Sequence, residues 1–399
     1  MNDFPGKLRA LMDERGLSTY AVGRKVPCDP SLISRYRSGR QKPSERMAGL
    51  LDNVLGADGE LIRLASLARP GRRAVLAGGL LAGGMIGLDP GTLERLAWIT
   101  RQPAQVDAAV VESLASVLAA QRRAEDVLGS AAMLRPALAQ LATVENLVKQ
   151  THGSARMPLL DIAQQWAQFA GWLCRDTGDT AGARTCFGQA LEWAVEIRDT
   201  TMMSTVLIER GEMAAEAGDA GAVIGLATAA RRDAGTAAGQ RAYAASLEAR
   251  GLAMAGDAGG TERVLGQAEE LAGQADGTQP APWSYWMTPE FFRNEAGIAC
   301  SSLAGTSLSW RDRAVSLLAV QPGSDDSLWS RAASLTHLAY AHARAGDVDE
   351  SCGTAVKATT LARRSGSVRL AHRLSEVHAS LATRYPGDPR VAELAEALR

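Results

Sequence analysis

The run Pro30-Ser31-Leu32-Ile33-Ser34-Arg35-Tyr36-Arg37-Ser38-Gly39-Arg40-Gln41-Lys42-Pro43-Ser44 decides the N-terminal fold. Asp29 stands at a capping position, and Pro30 follows at a first helical position, where its fixed φ suits a helix start and its missing N–H costs nothing. Leu32, Ile33 and Tyr36 share one face of a helix that runs through Ser38 and stops at Gly39. Ser31, Ser34, Arg35 and Arg37 fall off that apolar stripe and point outward, and Arg40, Lys42 and Ser44 follow in a loop.

Upstream, a first helix runs from Phe4 to Arg15 with Leu8, Leu11 and Met12 on one face, and it ends at Gly16. Ser18 caps a short second helix, Thr19–Val26, which packs Ala21 and Val22, and Pro27-Cys28 makes the tight turn into the third. Residues 4–69 thereby resemble the XRE family of lambda-repressor-like helix-turn-helix proteins, in the core residues, the helix-ending glycine and the Gly-Arg-x-x-Pro-Ser loop. Thr19 stands where that family usually has a longer polar residue, and Val26-Pro27-Cys28-Asp29 replaces a turn that often reads Gly-Val-Ser. The resemblance implies double-stranded DNA as partner. It places Ser31, Ser34 and Arg35 at base edges and Thr19, Arg37, Arg40 and Lys42 on phosphates.

Composition fits this. The 399 residues are 46% hydrophobic and only 5% aromatic, which favours helix over strand, and the net charge is −1. Residues 1–70 carry 12 Lys/Arg against 8 Asp/Glu, so the remainder is acidic and the basic surface is local. Five cysteines stand singly (Cys28, Cys174, Cys186, Cys300, Cys352), with no paired spacing for zinc and no disulfide framework, which implies a reducing, cytoplasmic setting. Arg72-Arg73 before the apolar run 74–88 imitates an export signal. It lies behind a segment that reads as a folded domain, and its 15 residues fall short of the ~20 that span a bilayer, so it reads as a linker.

From residue 91 onward apolar residues recur at helical spacing. Gly-Asp pairs at Gly178-Asp179, Gly218-Asp219, Gly256-Asp257 and Gly346-Asp347, with a weaker turn at Gly305-Thr306, mark a helix–turn–helix unit near 40 residues. Glycine closes one helix and aspartate caps the next. Trp166, Gly171, Ala183, Phe187 and Ala190 around the first pair resemble a tetratricopeptide repeat (TPR); the second unit keeps Gly211, Gly218 and Ala230, and Ala249, Gly297 and Ala339 stand at the close-packing site of later ones. The expected architecture is all-α: a lambda-repressor-like helix-turn-helix domain (1–69), a Gly-rich linker (70–90), a helical capping or dimerisation segment (91–160), and a right-handed TPR-like solenoid of five to six helix pairs (161–399).

Carried over from the TPR register, the concave surface would hold Gln168, Trp172, Arg175, Tyr243, Arg250, Asn294, Tyr340 and Arg344, and its arginines on an otherwise apolar wall would suit a peptide. The segment Pro280-Ala-Pro-Trp283-Ser-Tyr285-Trp286-Met287 reads as a hydrophobic plug between repeats, with a lid or ligand wall as the alternative. The combination resembles actinobacterial XRE–TPR regulators, notably in Leu93–Trp98 and Trp166–Trp172, and more distantly the peptide-sensing RRNPP regulators. Both imply a homodimeric transcriptional regulator answering to a peptide, small-molecule or protein effector; the alternative is a protein-interaction adaptor in which DNA binding is secondary. No Walker loop, GxSxG or HExxH occurs, so no enzyme, metal or cofactor is expected.

Overall fold

The computed structural model describes residues 4–26, 30–38, 43, 45–57, 59–61, 64, 99, 106–275, 280–319 and 328–399, with backbone alone at 24, 30, 31, 45 and 46. Every regular element among them is a helix. They divide into two compact units, Met1–Gly79 and Leu80–Arg399. The 27–29 turn with the Asp29 cap, the 39–42 loop, the linker at 70–90 and, Ile99 aside, the start of the capping segment to 105 lie outside the described residues. Among the described residues no helix is long and apolar enough to cross a membrane.

The first unit contains α1 (Phe4–Glu14), α2 (Thr19–Lys25), α3 (Pro30–Arg37) and α4 (Glu45–Leu55). Ser18 accepts the Ala21 N–H at 3.1 Å, which satisfies one of the amides that open α2. Leu8, Met12, Val22, Ile33, Leu51 and Leu55 are fully excluded from solvent and form one core across the four helices. The buried Asp52 accepts the Gly59 N–H at 2.8 Å and the Leu61 N–H at 2.9 Å. That anchor turns the chain after α4 so that Leu61 and Leu64 close the core.

The second unit begins with α5 (Ala108–Leu128) and α6 (Ser130–Gln150). Six antiparallel pairs follow: α7 (Arg156–Asp176) with α8 (Thr180–Ile197), α9 (Thr200–Glu216) with α10 (Ala220–Ala230), α11 (Ala238–Met254) with α12 (Ala258–Ala275), α13 (Pro289–Leu303) with α14 (Leu308–Leu318), α15 (Leu328–Ala345) with α16 (Val348–Ser365), and α17 (Val368–Arg384) with α18 (Pro389–Leu398). The boundary set above at 160/161 therefore falls inside a helix. Each first helix packs on its own partner and on the first helix of the next pair.

The turns explain the regularity. Gly178, Gly218, Gly256 and Gly346 take φ of +87°, +75°, +82° and +87°, a region where a Cβ is strained. Asp179, Asp219 and Asp257 then cap the next helix by accepting the amides of Gly182, Ala222 and Gly260. Where the helices of a pair cross, the close approach falls at a small residue of the first helix. A Cβ on Gly171 would sit 2.6 Å from the Phe187 ring, and at the corresponding place in the fifth pair the Ser351 hydroxyl donates to the Ala339 carbonyl at 2.8 Å.

The array does not stay open. α17 packs against α7, and α5 against α15 and α16, so the last helices return to the first. Asp176, wholly buried at the end of α7, accepts the Trp329 indole N–H at 2.7 Å and the Ser367 hydroxyl at 2.6 Å. Closure leaves a partly open cavity lined chiefly by the first helices of the pairs.

Candidate functional site

The cavity holds about 400 Å³, within the range of small-molecule sites. It is lined from α5, α7, α9, α11, α13, α15 and α17, with Leu317 of α14 and part of the segment at 280–288. Its charged floor is built on α9, where Glu209, Glu212 and Glu216 recur at helical spacing and face Arg175 of α7. The Arg175 guanidinium donates to the three carboxylates at 2.9, 3.2 and 2.6 Å. Arg250 of α11 shares Glu212 at 2.9 Å, and Arg369 of α17 pairs with Asp176 at 3.4 Å and Glu216 at 3.3 Å. These arginines also lie against ring faces, Arg369 over Trp329 at 4.9 Å and over Trp172 at 5.5 Å.

A second wall is aromatic. Tyr243, Trp286 and Phe291 meet edge to face with centroids 4.7 to 5.9 Å apart. The segment that carries Trp286 is both plug and wall. Trp283 is buried in the core and donates to Thr205 Oγ1 at 3.1 Å, while Tyr285 donates to Asp126 of α5 at 2.9 Å and covers the cavity.

Burial in this cavity sets the protonation of the acids. Glu212 falls below the carboxylate range despite its burial, because Arg250 and Arg175 hold its charge. Glu209 is raised by burial that its bond to Arg175 does not fully offset. Burial pushes Glu125 up to about 7, and burial together with nearby Glu212 pushes Glu295 up to about 8. His337 is kept neutral by burial and by the arginines Arg250, Arg373 and Arg369. Arg122, buried and with no carboxylate partner among the described residues, drops to about 10.

In the first unit α3 packs on α1 and α2, with Ile33 and Tyr36 inward. The opposite side presents Ser34 and Arg35 to solvent. Arg37, half-buried, reaches Asp13 of α1 at 3.6 Å, and Thr19 sits half-buried at the start of α2 beside Tyr20, which is 64% exposed. Residues 4–65 match the family model of a helix-turn-helix domain. A helix-turn-helix of this build suggests a DNA-binding regulator. No curated protein matches the chain.

In the helix-turn-helix domain, Ser34 and Arg35 lie where the sequence reading places them, on the outward face of α3. Arg40, Lys42 and the Ser31 side chain lie outside the described residues. Of the residues read as effector contacts, Gln168, Trp172, Arg175, Tyr243, Arg250 and Asn294 all line the one cavity. Tyr340 and Arg344 do not. The inward stripe of α15 runs through Trp329, Ala333 and His337, and the cavity ends there. Beyond it Tyr340 lies under the Arg373 guanidinium at 4.2 Å, and Arg344 donates to the Ser302 carbonyl at 3.2 Å.

The expectation of arginines on an otherwise apolar wall is corrected as well, because Glu209, Glu212 and Glu295 line the same cavity. Arg175 is held by three of the chain's own glutamates and Arg250 by Glu212. Sequence reading missed Glu209, Glu212 and Glu295. The signal was the spacing of the α9 glutamates, three acids on one face of a helix otherwise rich in small and apolar residues.

Proposed function

We propose that the chain is a sequence-specific transcriptional regulator that reads duplex DNA with α3 and carries a small effector in the cavity of its TPR-like array. The observation that carries the reading is the division of α3: Ile33 and Tyr36 locked in the core, Ser34 and Arg35 outward, within a segment matching a helix-turn-helix family. Only one helix enters a major groove, and an arginine there bonds the two acceptors of a guanine. Arg37, Arg40, Lys42 and Thr19 supply phosphate contacts, and a homodimer reads two half-sites one helical turn apart. The helix pairs, their Gly-Asp turns and the close packing at Gly171 support the TPR-like reading. The cavity's size favours a small effector over a folded partner. The function includes no catalytic step, and its setting is the cytoplasm.

The test is selection of genomic DNA fragments by the full-length protein, with affinity followed against salt. A single palindromic motif with a log–log salt slope of several units is the expected result. Arg35→Ala should relax specificity at one base position by about 1–3 kcal/mol, whereas Lys42→Ala should weaken all sequences alike and lower the salt slope by about one. No recovered motif, or neither substitution altering DNA affinity, overturns the assignment and moves the search to protein partners of the array.

A further inference from the structure

Glu295 is the unmatched group of the cavity. It lines the space, only 8% of its surface is exposed, and no hydrogen bond or ion pair reaches its carboxylate among the described residues. The arginines whose charges act on it are each paired with other carboxylates. Arg175 is engaged by Glu209, Glu212 and Glu216, Arg250 by Glu212, and Arg369 by Asp176 and Glu216. Three guanidinium groups thus meet four carboxylates before Glu295 is counted, and the whole lining holds six carboxylates against five arginines. An unpaired buried carboxylate costs stability unless something neutralises it. One turn before it on α13 is Phe291, whose ring meets Tyr243 and Trp286. A carboxylate that lines the same cavity as three aromatic rings offers an organic cation both a counter-charge and ring faces.

We propose that the cavity takes a ligand bearing a protonated amine on a compact apolar or aromatic body, with the ammonium on the Glu295 carboxylate and the body against Tyr243, Trp286 and Phe291. This rests on reading the cavity as an effector site. Arg369, whose Nε and Nη2 make no hydrogen bond among the described residues, is still paired with Asp176 and Glu216, and the other incompletely matched charge is Arg122, which would call for an anion. It donates to Gln165 Oε1 and to the Gln165 carbonyl, both at 3.4 Å, and lies over Phe169, whereas Glu295 has no such partner. The selectivity is therefore set at Glu295.

Proton linkage supplies an independent signature. With the Glu295 carboxyl at about 8 it is largely protonated at pH 7, and an arriving ammonium ionises it. Glu212 facing it from α9 pushes the carboxyl up, Arg250 of α11, Arg175 of α7 and Arg369 of α17 pull it down, and His337 of α15 stays neutral. Amine binding at pH 7 should release close to one proton and strengthen as pH rises through about 8.

The experiment is titration calorimetry of the full-length protein with 2-phenylethylamine and its anionic isostere 3-phenylpropanoate, at pH 7 in two buffers of different ionisation enthalpy. The amine should bind with proton release and the carboxylate should not. Glu295→Gln should weaken amine binding at least tenfold and abolish the release. Phe291→Leu, which leaves the charge in place, should weaken the amine while keeping the release. Tighter binding of 3-phenylpropanoate, an amine affinity unchanged in Glu295→Gln, or no binding of either probe overturns the proposal. The DNA-fragment selection on the same preparation separates the cases: a recovered motif with failed amine binding removes only the ligand assignment, and loss of both removes the regulator reading too.

Discussion

Arg175 shows how one side chain organises a site. It is buried, its guanidinium satisfies carboxylates at 209, 212 and 216, and it lies beside the Trp172 ring at 5.9 Å. Removing it strands Glu209 and leaves Glu212 to Arg250 alone, so Arg175→Met should cost about 3–5 kcal/mol in urea denaturation, the penalty for breaking a buried pair from one side. Arg35→Ala, on an exposed face, should move the denaturation midpoint far less. Glu295 has the opposite sign. Its folded carboxyl, near 8, lies above the unfolded value of 4.5, so the folded state binds the extra proton between them and stability is lost as pH rises across that window. Glu295→Gln should therefore match the parent at pH 4 and exceed it in stability increasingly up to pH 9, as measured by urea midpoints along the series. A midpoint difference independent of pH would remove Glu295 as the titrating group. Only part of this was legible from residue types: Arg175 and Arg250 were identifiable as inward and the α9 glutamates share one face, but which acids hold which arginine depends on α9 packing across both α7 and α11.

At the level of the helix pair, local rules sufficed. The Gly-Asp turns fall where glycine and aspartate predict them, and the six first-helix residues that reach the cavity follow from the repeat register. That register fails at Tyr340 and Arg344, because it gives the face of a helix and not the point along it where the cavity ends. It also has no signal for Gly129, between α5 and α6. With φ at +82°, an added Cβ there would lie 2.0 Å from the Ser365 carbonyl oxygen, so this turn touches the end of α16. Gly218 has similar backbone strain at +75° but open space around it. Gly218→Ala should cost about 1–2 kcal/mol, the left-handed penalty alone. Gly129→Ala should cost more, because the backbone of Ser365 must also move, and thermal denaturation of the two variants should separate them. Equal losses would mean the α5–α6 turn is not held against α16.

Over the whole C-terminal unit, the array departs from an open solenoid because its ends hold each other. Open helical repeats contact only their neighbours, and their stability is close to a sum of local terms. Here Asp176 binds Trp329, Ser367 and Arg369, residues more than 150 positions away, and joins the first pair to the fifth and sixth. The sequence carries no periodic signal for such contacts, since each is made once. A closed array should unfold more cooperatively than an open one, and a ligand can be shut inside it. Asp176→Asn retains the shape but removes the charge that faces Arg369 and weakens the acceptor for two donors. It should lower stability by about 2–4 kcal/mol, in line with hydrogen bonds to a buried charge. Its distinctive effect belongs in hydrogen exchange: amides of α15 to α17 and of α7 should lose protection together, while α9 to α12, held by neighbours on both sides, lose less. Uniform loss along the array would mean that closure is not a separate cooperative unit. Selective loss, with weaker binding of 2-phenylethylamine, would make closure the step that retains the effector.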